Sequence, residues 1–399
     1  MKKLVAISAF LLTALAGHAQ QALWGAAPVV SPEIHPDHTV TFRLKAPKAR
    51  QVQLMGDFLP TKAIKTERGE FDVAMPVDMV EKEGVWEWTT PEPLKPELYS
   101  YNLLIDGVKV NDPSNVYMIR DVASVFSVFI VEGERADLYK VNEVPHGTVS
   151  RLWYESPGLK MNRRLTVYTP AGYEKGGKYP VFYLLHGAGG DEEAWINLGR
   201  TSQILDNLIA QGKAEPMIVV MTNGNAWQQA APGESVQGYT VPSMGTGAPR
   251  QAVEADFVST FTDVVNFIEK TYRVKKGKAN RAIAGLSMGA YHSCAISRLY
   301  PDLFDYVGLF SGGGGRPNLK DNPLYGDMEG LLATQFAKKP ALYYIACGNR
   351  DFLYKGIEEY RRFLTEKGYP FEYFETGEGH IWKNWRIYLT EFAPRLFKK

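Results

Sequence analysis

Arg281-Ala282-Ile283-Ala284-Gly285-Leu286-Ser287-Met288-Gly289 is the stretch on which the fold reading turns. A short apolar run ends in a serine held between two glycines. The residues from Tyr291 to Leu299 then carry the apolar spacing of a helix. Strand, tight turn and helix within so few residues is the unit of a wound α/β sheet. The surrounding sequence repeats it. Val181-Phe182-Tyr183-Leu184-Leu185, Met217 to Met221 and Leu342-Tyr343-Tyr344-Ile345-Ala346 are nearly unbroken apolar runs, suited to strands covered on both faces. Phe257, Phe261, Val264, Val265 and Ile268 fall at helical spacing between them, and so do the apolar residues of 355–366. After Arg151 the chain therefore predicts a doubly wound, mostly parallel sheet over 151–399.

Before that point the rhythm differs. Val40-Thr41-Phe42-Arg43-Leu44, Val52-Gln53-Leu54-Met55, Val85-Trp86-Glu87-Trp88 and Tyr99-Ser100-Tyr101-Asn102-Leu103 alternate with period two. Asp106-Gly107 between two apolar runs is a hairpin turn signal. These features predict a small immunoglobulin-like β-sandwich over 25–135, with 136–150 as a linker around Pro145 and Gly147. Trp86 and Trp88 share one strand face, either as a platform for a sugar ring or as core.

Gly285-x-Ser287-x-Gly289, with a strand before and a helix after, has the form of a nucleophile elbow. The helix start favours negative charge beside the serine. A serine hydroxyl needs a base to act as a nucleophile. Chain order in such sites is serine, acid, histidine, which leaves His292 and His380. His292 lies on the elbow helix and projects away. His380 follows the strand around Phe371-Glu372-Tyr373-Phe374 and the loop Gly377-Glu378-Gly379, so it is the expected base. Asp351, on the loop after Ala341 to Ala346, is the expected acid; Asp321, Asp327 and Glu378 compete less well. Oxyanion donors are expected at the Met288 N–H and in Leu185-His186-Gly187-Ala188-Gly189-Gly190, at Ala188 with Gly187 as second choice. That glycine run lacks the Gly-Lys-Ser/Thr ending of a phosphate loop. His186 precedes the serine and is read as a brace. Asn223 to Arg250 is a long Gly/Pro-rich loop and a candidate wall for the cleft.

On these residues the chain resembles the putative-esterase family, which includes esterase D, mycolyltransferases, siderophore esterases and carbohydrate esterase family 1. The resemblance rests on Tyr183-Leu184-Leu185-His186-Gly187, Asp191-Glu192-Glu193-Ala194-Trp195, Gly285-Leu286-Ser287-Met288-Gly289 and Gly379-His380-Ile381-Trp382. It implies an α/β-hydrolase fold with Ser287, Asp351 and His380 at the triad positions. Bacterial feruloyl and acetylxylan esterases with a preceding family 48 carbohydrate-binding-like module are similar throughout, which implies an arabinoxylan-type polysaccharide ester as substrate. A siderophore esterase and a glycan-binding protein with a silent hydrolase domain are the rival expectations. Trp195, Trp382 and Trp385 flank the motifs and either stack on substrate or fill the core.

The amino terminus reads as an export signal over 1–19. Lys2 and Lys3 precede an apolar Leu4 to Leu15, and Gly17 and Ala19 precede the expected cut. An amphipathic first helix is the alternative. The apolar run is too short to span a bilayer, so a periplasmic or extracellular protein without membrane insertion is expected. The formal charge of +1 falls to −1 when those two lysines leave, which gives no electrostatic case for nucleic acid. Cys294 and Cys347 are read as buried free thiols; two cysteines make no zinc site, and no metal or cofactor is expected.

Overall fold

The computed structural model describes residues 29–66, 69–237, 254–314 and 327–398. The export signal, Asp321 and most of the glycine-rich part of the 223–250 loop lie outside the described residues.

The amino-terminal module is built from two antiparallel sheets. One orders Glu33–Ile34, Val40–Lys45, Val85–Thr89 and Val80–Lys82; the other orders Met118–Asp121, Ser124–Val131, Glu97–Ile105, Val52–Gly56 and Val77–Asp78. Alternation drives the packing. Val40, Phe42 and Leu44 from one sheet meet Val52, Leu54, Tyr101 and Phe129 from the other in one apolar core. Phe42 stacks with Phe58 at 5.4 Å and meets Tyr101 edge-on at 4.9 Å. The expected hairpin is present: Leu103–Ile105 pairs antiparallel with Val108–Val110. Asp106 and Gly107 both take positive φ, 49° and 84°, the geometry that matches the twist of paired strands. Trp86 is buried, with its indole N–H on the Ala46 carbonyl at 3.0 Å, and Trp88 packs against the same core. Both side chains therefore fill the sandwich rather than present a platform.

The second module is one eight-stranded sheet. Its strands are β1 (Thr148–Ser156), β2 (Met161–Thr169), β3 (Val181–Leu185), β4 (Ile218–Thr222), β5 (Arg281–Leu286), β6 (Tyr306–Phe310), β7 (Leu342–Gly348) and β8 (Glu372–Thr376), in the order β1-β2-β4-β3-β5-β6-β7-β8. β1, β2 and β4 pair antiparallel, and from β4 through β8 every pairing is parallel. Every residue of β3, β4, β5, β6 and β7 is buried, as two-sided cover by helices demands. One face packs on α3 (Glu254–Ser259), α4 (Phe261–Thr271) and α5 (Met288–Leu299), the other on α1 (Ala194–Asn197), α2 (Thr201–Ala210) and α8 (Trp382–Phe392). Because β3 and β5 lie side by side at the sheet centre, the loops after their carboxyl ends meet.

The connector differs from the expected linker. Glu134–Leu138 forms a short 3₁₀ turn, and Ala136 and Tyr139 are fully buried with Phe182 and Tyr388. β1 begins at Thr148. Apolar side chains in an otherwise polar segment seat it on the core. The sandwich is likewise docked: Leu98, Ile119 and Val128 belong to the same apolar cluster as Trp385 and Leu389.

Candidate active site

Ser287 stands at the turn from β5 into α5 with φ 51° and ψ −116°, a strained backbone for a residue with a side chain. The flanking glycines are dictated by contact. A Cβ at Gly285 would lie 2.5 Å from the Gly289 backbone, and a Cβ at Gly289 would lie 2.5 Å from the carbonyl oxygens of Leu185 and His186. The Ser287 N–H is tied to the Phe310 carbonyl at 2.9 Å, which anchors the turn on β6.

Asp351 lies on the loop between β7 and α7 (Tyr354–Glu366), its side chain fully buried. Its Oδ1 accepts the Leu353 N–H at 2.9 Å, which leaves Oδ2 aimed at His380 Nδ1, 2.8 Å away. That hydrogen bond sets the tautomer: Nδ1 carries the proton, and Nε2 is left as the acceptor. The His380 ring is clasped by Phe352 at 4.5 Å and by Trp385, edge-on, at 5.0 Å. His380 and Ser287 line one pocket of about 390 Å³, together with Gly187 and Ala188. The structure thus holds the carboxylate–imidazole link as a formed hydrogen bond and the serine as a neighbour across the same pocket. Such contacts often tighten only when substrate binds.

The competing residues are otherwise engaged. Glu378 pairs with Arg350 at 2.8 Å and Lys383 at 2.7 Å. Asp327 caps α6 (Met328–Ala337) by accepting the Gly330 N–H at 3.1 Å. His292 is buried on α5 against Phe257.

The loop after β3 passes close to the serine, since a Cβ on Gly187 would lie 3.3 Å from the Ser287 Cβ. His186 braces it. Its Nε2 accepts the Gly224 N–H at 2.8 Å, so Nδ1 carries the proton and donates to the Gly187 carbonyl at 2.7 Å. Burial holds its pKa below the ordinary imidazole value, which keeps it neutral. Three acids that follow act as further anchors: Asp191 meets Arg120 of the sandwich at 2.5 Å, while Glu192 and Glu193 meet Arg164 at 2.8 and 2.9 Å. Met288 N–H is the first of α5, and such donors have no partner inside their helix.

The three tryptophans separate. Trp382 lines the pocket. Trp385 also reaches it but is 6% exposed, its indole N–H on Ser311 Oγ at 3.1 Å, and its edge supports His380. Trp195 corrects the expectation of a substrate face: it is 1% exposed, donates to the Leu185 carbonyl at 2.8 Å and props Trp382 edge-on at 5.3 Å. Cys294 and Cys347 are free and buried.

The pocket that holds Ser287 and His380 is shared between the two modules. Its far wall belongs to the sandwich, through Asp57, Ser100, Asp121, Val122 and Phe126. None of these lies near a recognisable motif, so only the docking of the two modules reveals them.

Residues 156–319 match the family model described as Putative esterase. This part of the chain is a putative-esterase domain. An endo-1,4-beta-xylanase/feruloyl esterase of Xylanibacter ruminicola is 32% identical over 328 residues, covering 80% of this chain and 41% of that protein. The chain spans well under half the length of that curated relative. A solved ferulic acid esterase is 27% identical, with a TM-score of 0.50, covering 62% of this chain and 97% of its own. The enterobactin esterase FES of Shigella flexneri, 16% identical, has a TM-score of 0.59 over 89% of this chain and 92% of its own, a likeness of fold that takes in the sandwich as well as the esterase domain.

Proposed function

We propose that this chain is a serine carboxylic-ester hydrolase that releases hydroxycinnamic acyl groups such as ferulate, or acetyl groups, from xylan-type polysaccharides. The observation that carries the reading is the 2.8 Å Asp351–His380 hydrogen bond beside a strained Ser287 in one pocket. Ser287 Oγ attacks the ester carbonyl as His380 Nε2 takes its proton, and Asp351 stabilises the imidazolium through Nδ1. The oxyanion forms against the Met288 N–H and an N–H from the 187–188 loop, each such donor contributing about 3 kcal/mol to the transition state. His380 then gives the proton to the departing sugar oxygen. Water, deprotonated by the same ring, cleaves the acyl-enzyme and frees the acid.

The likeness to the xylanase/feruloyl esterase and to the ferulic acid esterase supports the substrate class. The reading includes export by residues 1–19 to the periplasm or beyond, and a module boundary near residue 135. Incubation with feruloylated arabinoxylan tests it. Ferulate release by the wild type and none by Ser287→Ala is the expected result; acetate release without ferulate redirects the acyl group to acetyl. The fold likeness to an enterobactin esterase across both modules favours a second reading, a triscatecholate lactone as substrate. Turnover of that lactone with no release from xylan esters would put it first.

A further inference from the structure

The serine pocket is closed by the sandwich, and the residues that close it have a definite chemistry. Asp57 lies just after the strand Val52–Gly56. Ser100, on the neighbouring strand Glu97–Ile105, donates its N–H to Asp57 Oδ1 at 3.0 Å and its hydroxyl to Oδ2 at 2.8 Å, and it accepts the Asp57 N–H at 3.1 Å. A carboxylate has about four acceptor directions. Ser100 takes one side of this one, and the remainder opens on the pocket, whose lining includes Asp57. The side chain is fixed without being consumed.

Apolar and aromatic side chains form part of the wall around it. Val122, Phe126 and Trp382 line the same pocket as Ser287. Asp121 of the sandwich lines that pocket together with the Trp382 indole. Lys109 Nζ stands 4.6 Å from the Phe126 ring centroid, and both side chains line a second chamber of about 640 Å³. Asn102, Lys109 and Arg350 line that chamber, and Asp57, Phe126 and His380 border both chambers. A flat ring bearing one hydroxyl suits the first chamber. The apolar share of that wall, Val122, Val128 and Ile119, offers the hydroxyls of a sugar no partner.

We infer that the sandwich is a working wall of the active site, and that Asp57 accepts a hydrogen bond from the phenolic hydroxyl of an aromatic acyl group whose ring lies between Phe126 and Trp382. The inference rests on the feruloyl-esterase reading above and adds the residue that selects the acyl group. Asp57 is a specificity residue, remote from the bond that breaks.

The test compares full-length wild type, Asp57→Ala and Asp57→Asn on methyl ferulate, on methyl 3,4-dimethoxycinnamate, which lacks the phenolic hydroxyl, and on 4-nitrophenyl acetate. Loss of a hydrogen bond to a charged acceptor predicts that Asp57→Ala lowers kcat/KM on methyl ferulate by about ten-fold or more. The other two esters should stay within about two-fold of wild type, and Asp57→Asn should retain part of the ferulate activity. Equal losses on all three esters would make Asp57 structural and overturn the assignment. An unchanged methyl ferulate rate with a loss confined to feruloyl-arabinose would move the contact to a sugar hydroxyl and overturn it as well. Failure of the underlying reading looks different: a wild type that cleaves 4-nitrophenyl acetate but no ferulate ester sinks both together.

Discussion

Glu97 of the sandwich and Arg386 of the last helix form a buried ion pair, Oε1 to Nη2 at 2.9 Å, across 289 positions of chain. Arg386 also donates to the Leu98 carbonyl at 2.9 Å and the Leu198 carbonyl at 3.1 Å. With its donors spread over both modules, it fixes how one sits on the other. Breaking such a pair from one side leaves a charge buried and alone, a cost of about 3–5 kcal/mol. Glu97→Ala should therefore lower the thermal midpoint of the whole chain and weaken activity on methyl ferulate, because Leu98 and Tyr99 line the pocket. Calorimetry and ester kinetics on the same preparation check this. An unshifted midpoint would show that the pair is dispensable.

The Asp351–His380 bond predicts a sharp kinetic asymmetry. Asp351→Asn keeps the volume but presents a donor to Nδ1, favouring the wrong tautomer, and losses of roughly 10³- to 10⁴-fold in kcat accompany that change in comparable relays. KM should move little. A kcat within about ten-fold of wild type on 4-nitrophenyl acetate would remove Asp351 from the relay.

Gly289→Ala puts a methyl 2.5 Å from two backbone carbonyl oxygens at the end of β3. Backbone there cannot step aside without opening the strand pair. Expected outcomes are a loss of stability of about 2 kcal/mol or more and loss of fluorophosphonate labelling at Ser287. Full labelling of a normally stable variant would show that the elbow has slack.

Trp195→Ala separates packing from binding. Removing a fully buried indole typically costs about 3–5 kcal/mol. KM for methyl ferulate, measured at a temperature where the variant stays folded, should change less than for Trp382→Ala, whose ring faces the pocket. The reverse ranking would restore Trp195 as a substrate contact.

Asp57 predicts a pH signature. Surrounding protein disfavours its charge and pushes its pKa up to about 6, although its carboxylate opens on the pocket. The folded value stands above that of the unfolded chain, so the unfolded state ionises first. Stability is lost as pH rises from about 4 to about 6 and then levels off. The thermal midpoint of Asp57→Asn relative to wild type should accordingly rise between pH 4 and pH 7. A flat difference across that range contradicts the raised pKa.

Local demands were legible in the residues themselves. A strained serine turn between close-packed backbones admits little but glycine at positions 285 and 289, and strands buried on both faces must read as apolar runs, as β3 and β5 do. Chain order and strand-end position likewise singled out Asp351 and His380, because the carboxyl ends of parallel strands converge. Tertiary structure alone decided what faces them. Trp195 turned inward because its indole found the Leu185 carbonyl, a contact no spacing encodes. Asp57 and Phe126 became pocket wall only through the docking of one module on the other, set by pairs as distant as Glu97–Arg386 and Arg120–Asp191. Periodicity reports the face each segment buries; which surfaces then meet depends on shape and charge summed over the whole fold.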